Sequence, residues 1–162
     1  MPYTPILGTL GYILSPDRES VLMVQRIARQ EDDHFGKYNG LGGKMLPEED
    51  AATCMVREIR EEAGIEVTEM SLRGTINWTN FGPKGENWLG FIFLIQRYQN
   101  EPWRENVEGP LSWVRLEDLP TLSLWEGDKR FLPLVFDNDP RPFHGVMPYA
   151  NDRLLGWSYT RF

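Results

Sequence analysis

The segment GGKMLPEEDAATCMVREIREEAGI, residues 42–65, joins a glycine-rich start to a run with no helix-breaking residue. Pro47 and the three acids that follow it, residues 48–50, are typical of a helix start. Proline fits the first turn, and acids are favoured at the positive end of the helix dipole. Gly64 is typical of the left-handed residue that ends a helix. The segment therefore predicts one helix that starts near Pro47 and stops before Gly64.

The predicted helix has an acidic side and an apolar side. At about 100° per residue, Glu58, Glu61 and Glu62 fall together. The side chains on another side of the helix are small or apolar, so this side should face the core. Its residues are Ala52, Met55, Val56, Ile59 and Ala63. Carboxylates three and four residues apart destabilise a helix unless a cation offsets their charge.

Two interpretations of the acidic side remain open. Carboxylate oxygens suit a hard ion such as Mg²⁺ or Mn²⁺. Gly40, Gly42 and Gly43 would let the preceding loop approach that ion closely and offer it a backbone carbonyl. The alternative is a solvated acidic face on which Arg57 forms pairs with glutamates one turn away.

Composition limits the classes of function. The chain has 162 residues with a net charge of −7, which argues against nonspecific binding to nucleic acid or to a membrane surface. Cys54 is the only cysteine, so we expect neither disulfides nor a thiolate zinc site, and this residue should pack inside the helix. We find no signal peptide and no apolar run of membrane-spanning length. These features predict a soluble protein of a reducing compartment, the cytoplasm by default.

Elsewhere the pattern mixes strands and helices without a regular alternation. Residues 6–14 and 21–25 predict a hairpin, and the polar residues 26–37 a loop. Residues 125–136 predict a second helix that Pro133 would kink or shorten. The remaining predicted strands lie at 72–78, 88–97, 111–115, 143–149 and 154–159, the last two forming a hairpin. This order favours a mixed sheet with helices on both faces.

From Gly43 to Ile65 the chain fills every fixed position of the pattern G-x5-E-x7-R-E-U-x-E-E-x-G-U, in which U is aliphatic. The chain thereby resembles the Nudix hydrolase family, whose members cleave a nucleoside diphosphate linked to another moiety. The resemblance implies the α/β Nudix fold, an α/β/α sandwich with a mixed β-sheet, in one domain over residues 1–162. It also implies Mg²⁺ or Mn²⁺ as cofactor.

The resemblance assigns roles to residues of the acidic helix. It implies that Glu58, Glu61 and Glu62 ligate metal with help from the Gly42 carbonyl. Glu49 and Arg57 would form a salt bridge that orients the loop and the helix. A further acid from a later loop would ligate metal or act as the general base. Glu108 is the choice for that role because it just precedes a strand, Glu105 is second, and either could be a solvated loop acid.

We call the pattern from Gly43 to Ile65 the Nudix box. Motifs outside this box resemble the MutT-type branch, which includes oxidised-purine nucleoside triphosphatases. YNGLGGK at 38–44 is similar to the branch's WNGFGGK, and WEGDKRFLPLVFDNDPRPF at 125–143 resembles its late tryptophan, acid and FPLL run. The resemblance implies that Asn39 and Asp128 read a purine edge while Trp125 stacks on the base. Their alternatives are a loop-shaping amide, a helix cap and a core tryptophan.

Further assignments in this branch are weaker. Gly127 replaces the first of two adjacent acids in the mammalian pattern, which leaves open whether oxidised guanine or oxidised adenine is preferred. Trp78 and Phe35 are candidates for base contacts, with core packing as the alternative, and Arg26 for phosphate contacts. His34 could reach phosphate, with a solvated side chain as the alternative.

The predicted activity is Mg²⁺-dependent hydrolysis of purine nucleoside triphosphates such as 8-oxo-dGTP to the monophosphate and pyrophosphate. Other Nudix substrates remain open: undamaged or methylated nucleotides, dihydroneopterin triphosphate, nucleotide sugars or capped RNA. A binding or regulatory module of the same fold is the non-enzymatic alternative. Besides the nucleotide we expect no stable nucleic-acid partner and no membrane, and either a monomer or a homodimer.

Overall fold

The computed structural model describes the chain from Met1 to Phe162. It contains two α-helices, α1 (Ala51–Ala63) and α2 (Glu126–Phe136), and a 3₁₀ helix at Leu116–Thr121. The strands are β1 (Ile6–Leu14), β2 (Ser20–Gln25), β3 (Tyr38–Asn39), β4 (Leu41–Lys44), β5 (Glu66–Phe81), β6 (Glu86–Gln99), β7 (Glu105–Asn106), β8 (Gly109–Arg115), β9 (Phe143–Asn151), β10 (Arg153–Leu154) and β11 (Ser158–Arg161).

The strands form one mixed sheet in the order β10-β9-β5-β6-β1-β2-β8-β7. β1 pairs parallel with β6 and antiparallel with β2, which confirms the predicted first hairpin. β5 pairs antiparallel with β6 and parallel with β9. β11 returns antiparallel to β9, as the predicted closing hairpin requires. β3 and β4 lie off this path, on β2 and β1.

The two helices cover opposite faces of the sheet. Successive strand residues point to opposite faces, so Tyr12 joins the apolar cluster beneath α2 and Ile13 the cluster beneath α1. Phe131 of α2 and Ile59 of α1 are fully buried in these two clusters. The predicted α/β/α sandwich with a mixed sheet is therefore confirmed.

Helix α1 begins later than the sequence suggested. Asp50 is the N-cap, and its carboxylate accepts from the Thr53 backbone N–H at 2.7 Å. The Asp50 carboxylate satisfies one of the free N–H groups of the first helical turn, and the side chain of Pro47 has no atom that could do so. The helix therefore starts after Asp50, and Pro47 lies in the preceding turn. Gly64 ends the helix at φ 70°, as predicted.

The apolar face of α1 is narrower than predicted. Met55, Ile59 and Ala63 are buried, whereas Ala52 is exposed and Val56 is only partly buried. The face of α1 that packs against the sheet includes Cys54 instead. Cys54 is buried, as predicted, and its Sγ lies 3.3 Å from Oγ1 of Thr9 on β1.

Helix α2 runs three residues past Pro133 and ends at Phe136. Its last carbonyls have a partner from the sheet, because Arg73 of β5 donates to Val135 at 3.0 Å and to Leu134 at 3.2 Å. These contacts from outside the helix satisfy carbonyls that follow Pro133 at the end of α2. The last turn forms although Pro133 itself donates no hydrogen bond.

The glycines ahead of α1 also differ from the prediction, since Gly42 and Gly43 belong to β4 rather than to a loop. β4 runs antiparallel to β1, and a Cβ on Gly42 would lie 1.9 Å from the Thr9 carbonyl oxygen. This strand contact, which leaves no room for a side chain, requires glycine. No helix of the chain is both long and apolar enough to cross a membrane.

Candidate active site

Arg57 connects the start of α1 to its acidic side. Its Nη2 donates to Glu49 Oε1 at 2.9 Å, and its Nη1 donates to Glu58 at 2.9 Å and to Glu61 at 3.1 Å. Hydrogen bonds from Arg57 are the main cause that lowers the pKa of Glu49 to about 2. Arg57 and Glu49 thus lie together, as the sequence suggested, and the guanidinium links three carboxylates.

Glu58 and Glu62 lie one turn apart against the β4 glycines. The Glu58 carboxylate fills the space beside Gly43, where a Cβ would lie 2.6 Å from Oε1. The Gly42 N–H donates to Glu62 Oε2 at 3.4 Å. Burial, and then the nearby charge of Glu58, raise the pKa of Glu62. Glu61 differs, since 59% of its side chain is exposed.

These carboxylates fit a divalent ion that also binds a phosphate. No three His, Cys, Asp or Glu side chains are gathered closely enough to hold an ion by themselves. Mg²⁺ commonly takes only one or two protein carboxylates and completes its coordination with water and substrate phosphates. Glu58 and Glu62, which are both partly buried and lie one turn apart, provide that oxygen-only donor set.

Glu108 is partly buried near this acidic group, whereas Glu105 is exposed. The charge of Glu108 contributes to the raised pKa of Glu62. Its carboxylate pairs with Arg26 at 3.1 Å and with Arg29 at 3.6 Å. Glu105 is exposed in β7. The structure therefore favours Glu108 over Glu105 by position, and it connects Glu108 to the loop at 26–37.

A cavity of about 320 Å³ opens next to the β4 glycines. Gly42, Gly43 and Arg26 contribute to its wall, so it reaches from the acidic helix into the sheet. The aromatic side chains that line it are Trp78, Phe81, Trp88 and Trp125. Several aromatic walls are typical of a site for a flat ligand, and the polar and charged side chains that share the lining can orient it.

Two polar groups in this cavity lack partners in the protein. Asn39 Nδ2 is buried and makes no hydrogen bond. Asp128 is 9% exposed, its carboxylate accepts no hydrogen bond from the chain, and burial raises its pKa to about 7. The N-cap of α2 is Trp125, without a side-chain cap, so the helix-cap alternative for Asp128 is wrong. Asn39 and Asp128, each with a polar group that the protein leaves unpaired, therefore both line this cavity.

Trp125 belongs to the core and to the cavity wall at once. It is 6% exposed, with Phe81 and Tyr149 packed edge-on at 4.9 and 6.1 Å. The Lys37 ammonium lies 4.9 Å from the ring centroid. The burial of Trp125 agrees with the core alternative, and the predicted stacking on the base stays a prediction.

The loop at 26–37 contributes His34 to the cavity, a residue for which the sequence offered only a phosphate contact or a solvated side chain. His34 is partly buried and lines the cavity, and its Nδ1 lies 2.7 Å from Trp125 Nε1. Burial, and then the charge of Arg26, lower the pKa of His34. The solvated alternative for His34 is therefore wrong. Phe35 beside it is 43% exposed and does not line the cavity.

Phe81 and Trp88 were missed from the sequence. Trp88 pairs with Trp78 across β5 and β6, so an alternation argument applied to the hairpin could have placed both on one face. Phe81 could not be found that way. A register shift between Trp78 and Phe81 lets residues three apart line the same cavity, which breaks the two-residue period.

Residues 5–135 match the NUDIX domain model. An uncharacterised Nudix hydrolase from Bacillus subtilis, YvcI, is 28% identical over 136 residues, covering 82% of this chain and 80% of the relative. An oxidized purine nucleoside triphosphate hydrolase from Mus musculus is 28% identical over 156 residues, covering 96% and 94%. The Danio rerio protein of the same name is 29% identical over 133 residues, covering 82% and 81%.

Solved structures support the same fold. The MutT protein from Bacillus halodurans superposes with a TM-score of 0.79 at 24% identity, covering 95% of this chain and 97% of that one. The NUDIX domain of NrtR from Shewanella oneidensis, solved with ADP ribose, gives 0.67 at 14% identity, covering 82% and 87%.

Proposed function

Since the chain belongs to the Nudix family and is a Nudix pyrophosphohydrolase, we propose that it hydrolyses oxidised purine nucleoside triphosphates, such as 8-oxo-dGTP, to the monophosphate and pyrophosphate. The observation that carries this proposal is the cavity in which Asn39 and Asp128 lie without partners between aromatic walls. Such an enzyme would remove damaged nucleotides from the precursor pool.

The polar groups of the cavity suit a purine edge. An amide can donate and accept, and a buried carboxyl with a pKa near 7 can donate when protonated and accept when ionised. Purines present donors and acceptors side by side on one edge. Buried polar groups that would otherwise stay unpaired favour a ligand that pairs with them over one that cannot.

The aromatic groups would hold the plane of the base. Trp78 and Trp88 lie opposite each other in the sheet and line the cavity with Phe81 and Trp125. Because Trp125 is only 6% exposed, we assign it to the wall that limits the depth of the base. Trp78 and Phe81 then offer the remaining aromatic contacts.

The triphosphate would extend from the cavity toward the acidic side of α1. We propose that Glu58, Glu61 and Glu62 hold Mg²⁺ or Mn²⁺ with the Gly42 carbonyl, and that Arg57 and Glu49 fix the helix. Bound there, the ion would supply Lewis acidity and a more acidic water at neutral pH. Glu108, held by Arg26, is proposed as a further ligand or as the group that accepts a proton from water.

We further infer that one Nudix hydrolase domain spans residues 1–162. The family match ends at residue 135, yet β9 and β11 continue the same sheet. β9 also contributes Tyr149, whose hydroxyl accepts from the Gly127 N–H at 3.1 Å beside Asp128. The segment after residue 135 therefore completes the wall behind the cavity.

The test is a comparison of kcat/KM with Mg²⁺ for 8-oxo-dGTP, 2-hydroxy-dATP, dGTP, dihydroneopterin triphosphate and ADP-ribose, measured by release of pyrophosphate or of the corresponding phosphate product. We expect an oxidised purine triphosphate to exceed dGTP by roughly tenfold or more, the effect of about one well-placed hydrogen bond with a buried group. A preference for any substrate without a purine triphosphate contradicts the proposal.

The variant Asp128→Ala tests the base-reading assignment. It should raise KM and reduce the preference for the oxidised base, with pyrophosphate still released in the presence of Mg²⁺. Asp118→Ala is a matched control, because Asp118 is exposed in the 3₁₀ helix and outside the cavity lining. An unchanged preference profile in Asp128→Ala would rule out Asp128 as a base reader.

A further inference from the structure

We propose that His34 is a substrate-binding residue of this site, one whose Nε2–H donates a hydrogen bond to an acceptor atom of the purine base. The proposal rests on the proposed function for the identity of the ligand. It goes beyond it because His34 lies in the loop at 26–37, outside the box and outside the motifs that assigned Asn39, Trp125 and Asp128.

The tautomer of His34 follows from its partner. Trp125 Nε1–H can only donate, and it lies 2.7 Å from His34 Nδ1, so Nδ1 must be the acceptor. In a neutral imidazole the proton then resides on Nε2. Trp125 is 6% exposed and held by Phe81 and Tyr149, so this donor has a fixed place.

The backbone of His34 is fixed as well. Asp32 Oδ1 accepts from the His34 backbone N–H at 3.1 Å, and Asp32 Oδ2 accepts from Arg26 Nε at 3.0 Å. The loop closes on itself through Gly36 N–H, which donates to the Arg26 carbonyl at 2.7 Å. The ring of His34 packs 5.9 Å from that of Phe81.

The Nε2–H is the part of His34 that the protein leaves free. No residue of the chain accepts a hydrogen bond from it. The buried polar atoms without a partner are Asn39 Nδ2, Gln96 Oε1 and Tyr98 OH, and His34 Nε2 is not among them, so it is accessible. His34 and Asn39 both line the cavity, and we infer that this donor faces it.

The chemistry defines the acceptor. A neutral N–H donor in an aromatic cavity pairs with a carbonyl oxygen or an unprotonated ring nitrogen, and both occur on purines. Oxidation of a purine adds an oxygen, which is an acceptor that the undamaged base lacks at that position. His34 and Asn39 would then supply two donors, and Asp128 a group that donates or accepts according to its protonation state.

Two amide replacements separate this role from a structural one. In His34→Gln the side-chain amide nitrogen can occupy the place of Nε2, which keeps the donor to substrate and loses the acceptor for Trp125. In His34→Asn the amide oxygen can occupy the place of Nδ1, which keeps the contact with Trp125 and loses the donor. His34→Phe keeps a ring and loses both.

The experiment measures kcat and KM of these variants with the purine nucleoside triphosphate that the parent enzyme hydrolyses best. We expect KM to rise roughly fivefold to tenfold in His34→Asn and His34→Phe, the effect of one lost hydrogen bond, with kcat within about twofold. His34→Gln should stay within roughly threefold of the parent, less than one such hydrogen bond. His144→Asn is the control, because His144 is exposed on β9 and contacts Thr75 instead.

The inference requires that the KM of His34→Gln is lower than the KM of His34→Asn, and any other result overturns it. In particular, a parent-like His34→Asn with an impaired His34→Gln shows that His34 only supports Trp125. These results leave the proposed function standing. A parent enzyme that hydrolyses no purine nucleoside triphosphate refutes the proposed function and this inference together.

Discussion

Arg57 Nη2 and Glu49 Oε1 lie 2.9 Å apart, so a single ion pair spans the turn between β4 and α1. The same guanidinium donates to Glu58 and Glu61. The position of the acidic side of α1 relative to β4 therefore depends on a side chain that is not itself part of the cavity wall.

Arg57→Lys should weaken metal-dependent activity while the protein still folds. A lysine ammonium lacks the planar fork that contacts Glu49 and two further glutamates at once. We expect kcat/KM to fall roughly 10–100-fold, as for other groups that orient metal ligands, with a higher Mg²⁺ concentration at half-maximal rate. Arg60→Lys is the control, since Arg60 pairs with exposed Glu66. Equal Mg²⁺ dependence in both variants would contradict the positioning role.

Glu62→Gln should abolish turnover and stabilise the metal-free protein. Burial, and then the charge of Glu58, make the ionised form of Glu62 costly when no ion is bound, and the neutral amide does not carry this cost. We expect a gain of about 1 kcal/mol in EDTA, or roughly 2–4 °C in Tm for a chain of this size, and an activity loss of roughly a hundredfold or more.

Glu61→Gln serves as the comparison for Glu62→Gln. Its side chain is 59% exposed and pairs with Arg57, so it should lose activity without gaining stability. Thermal melts with and without Mg²⁺, beside pyrophosphate release, measure both effects. Turnover within a few-fold of the parent in both variants would show the metal assignment to be wrong.

Asp128→Asn should make stability less dependent on pH. Burial raises the pKa of Asp128 from 3.8 to about 7, so between these values the folded protein holds a proton that the unfolded chain releases. Stability contributed by the protonated form is complete below the unfolded pKa and is lost as pH rises through the folded pKa.

The amide removes this loss, so the variant should match the parent near pH 4 and exceed it near pH 8. At roughly 1.4 kcal/mol per pKa unit, the difference at pH 8 is at most about 4 kcal/mol. Urea unfolding at both pH values, in EDTA, measures it. A stability difference that is the same at pH 4 and pH 8 would show that Asp128 is not buried as a neutral acid.

Arg73→Lys should destabilise the fold and spare the chemistry. Arg73 is 7% exposed and donates to carbonyls of Leu134, Val135 and Asp139 at the end of α2. A lysine reaches fewer of these acceptors, and buried carbonyls left unpaired cost about 1–3 kcal/mol each. We expect a loss of roughly 2–4 kcal/mol in the free energy of unfolding.

The control for Arg73→Lys is Arg141→Lys, because Arg141 is an exposed partner of Asp139. Exposed pairs contribute about 0–1 kcal/mol. Turnover measured well below the melting temperature should be unchanged in both variants. A kcat that falls in Arg73→Lys at such temperatures would link the end of α2 to catalysis.

The fold was predictable where local chemistry decides it. The helix stop at Gly64, the buried Cys54 and the paired strands β1 and β2 follow from turn chemistry and apolar patterning. The second helix was predicted at 125–136 and lies at Glu126–Phe136, so Pro133 does not shorten it. The contacts that satisfy its last carbonyls come from Arg73, more than 50 positions earlier in the chain, and no window around Pro133 can reveal them.

The same distinction between local patterns and distant contacts applies to the residues of the candidate site. Glu58 and Glu62 lie four residues apart on one helix, so their spacing in the sequence is enough to place them on the same side. His34 comes from a loop without periodicity, and its place depends on a contact with Trp125, 91 residues later in the chain. Phe81 follows a register shift in β5 that leaves no mark in the pattern of apolar residues.

The burial of Cys54 has a practical consequence. It is the only cysteine of the chain, it is fully buried, and burial raises the pKa of its thiol. Thiolates rather than thiols react with maleimides and similar reagents. A single cysteine introduced at exposed Phe35 could therefore be labelled selectively in the native enzyme, which would carry a fluorophore on the same loop as His34 without a cysteine-free background.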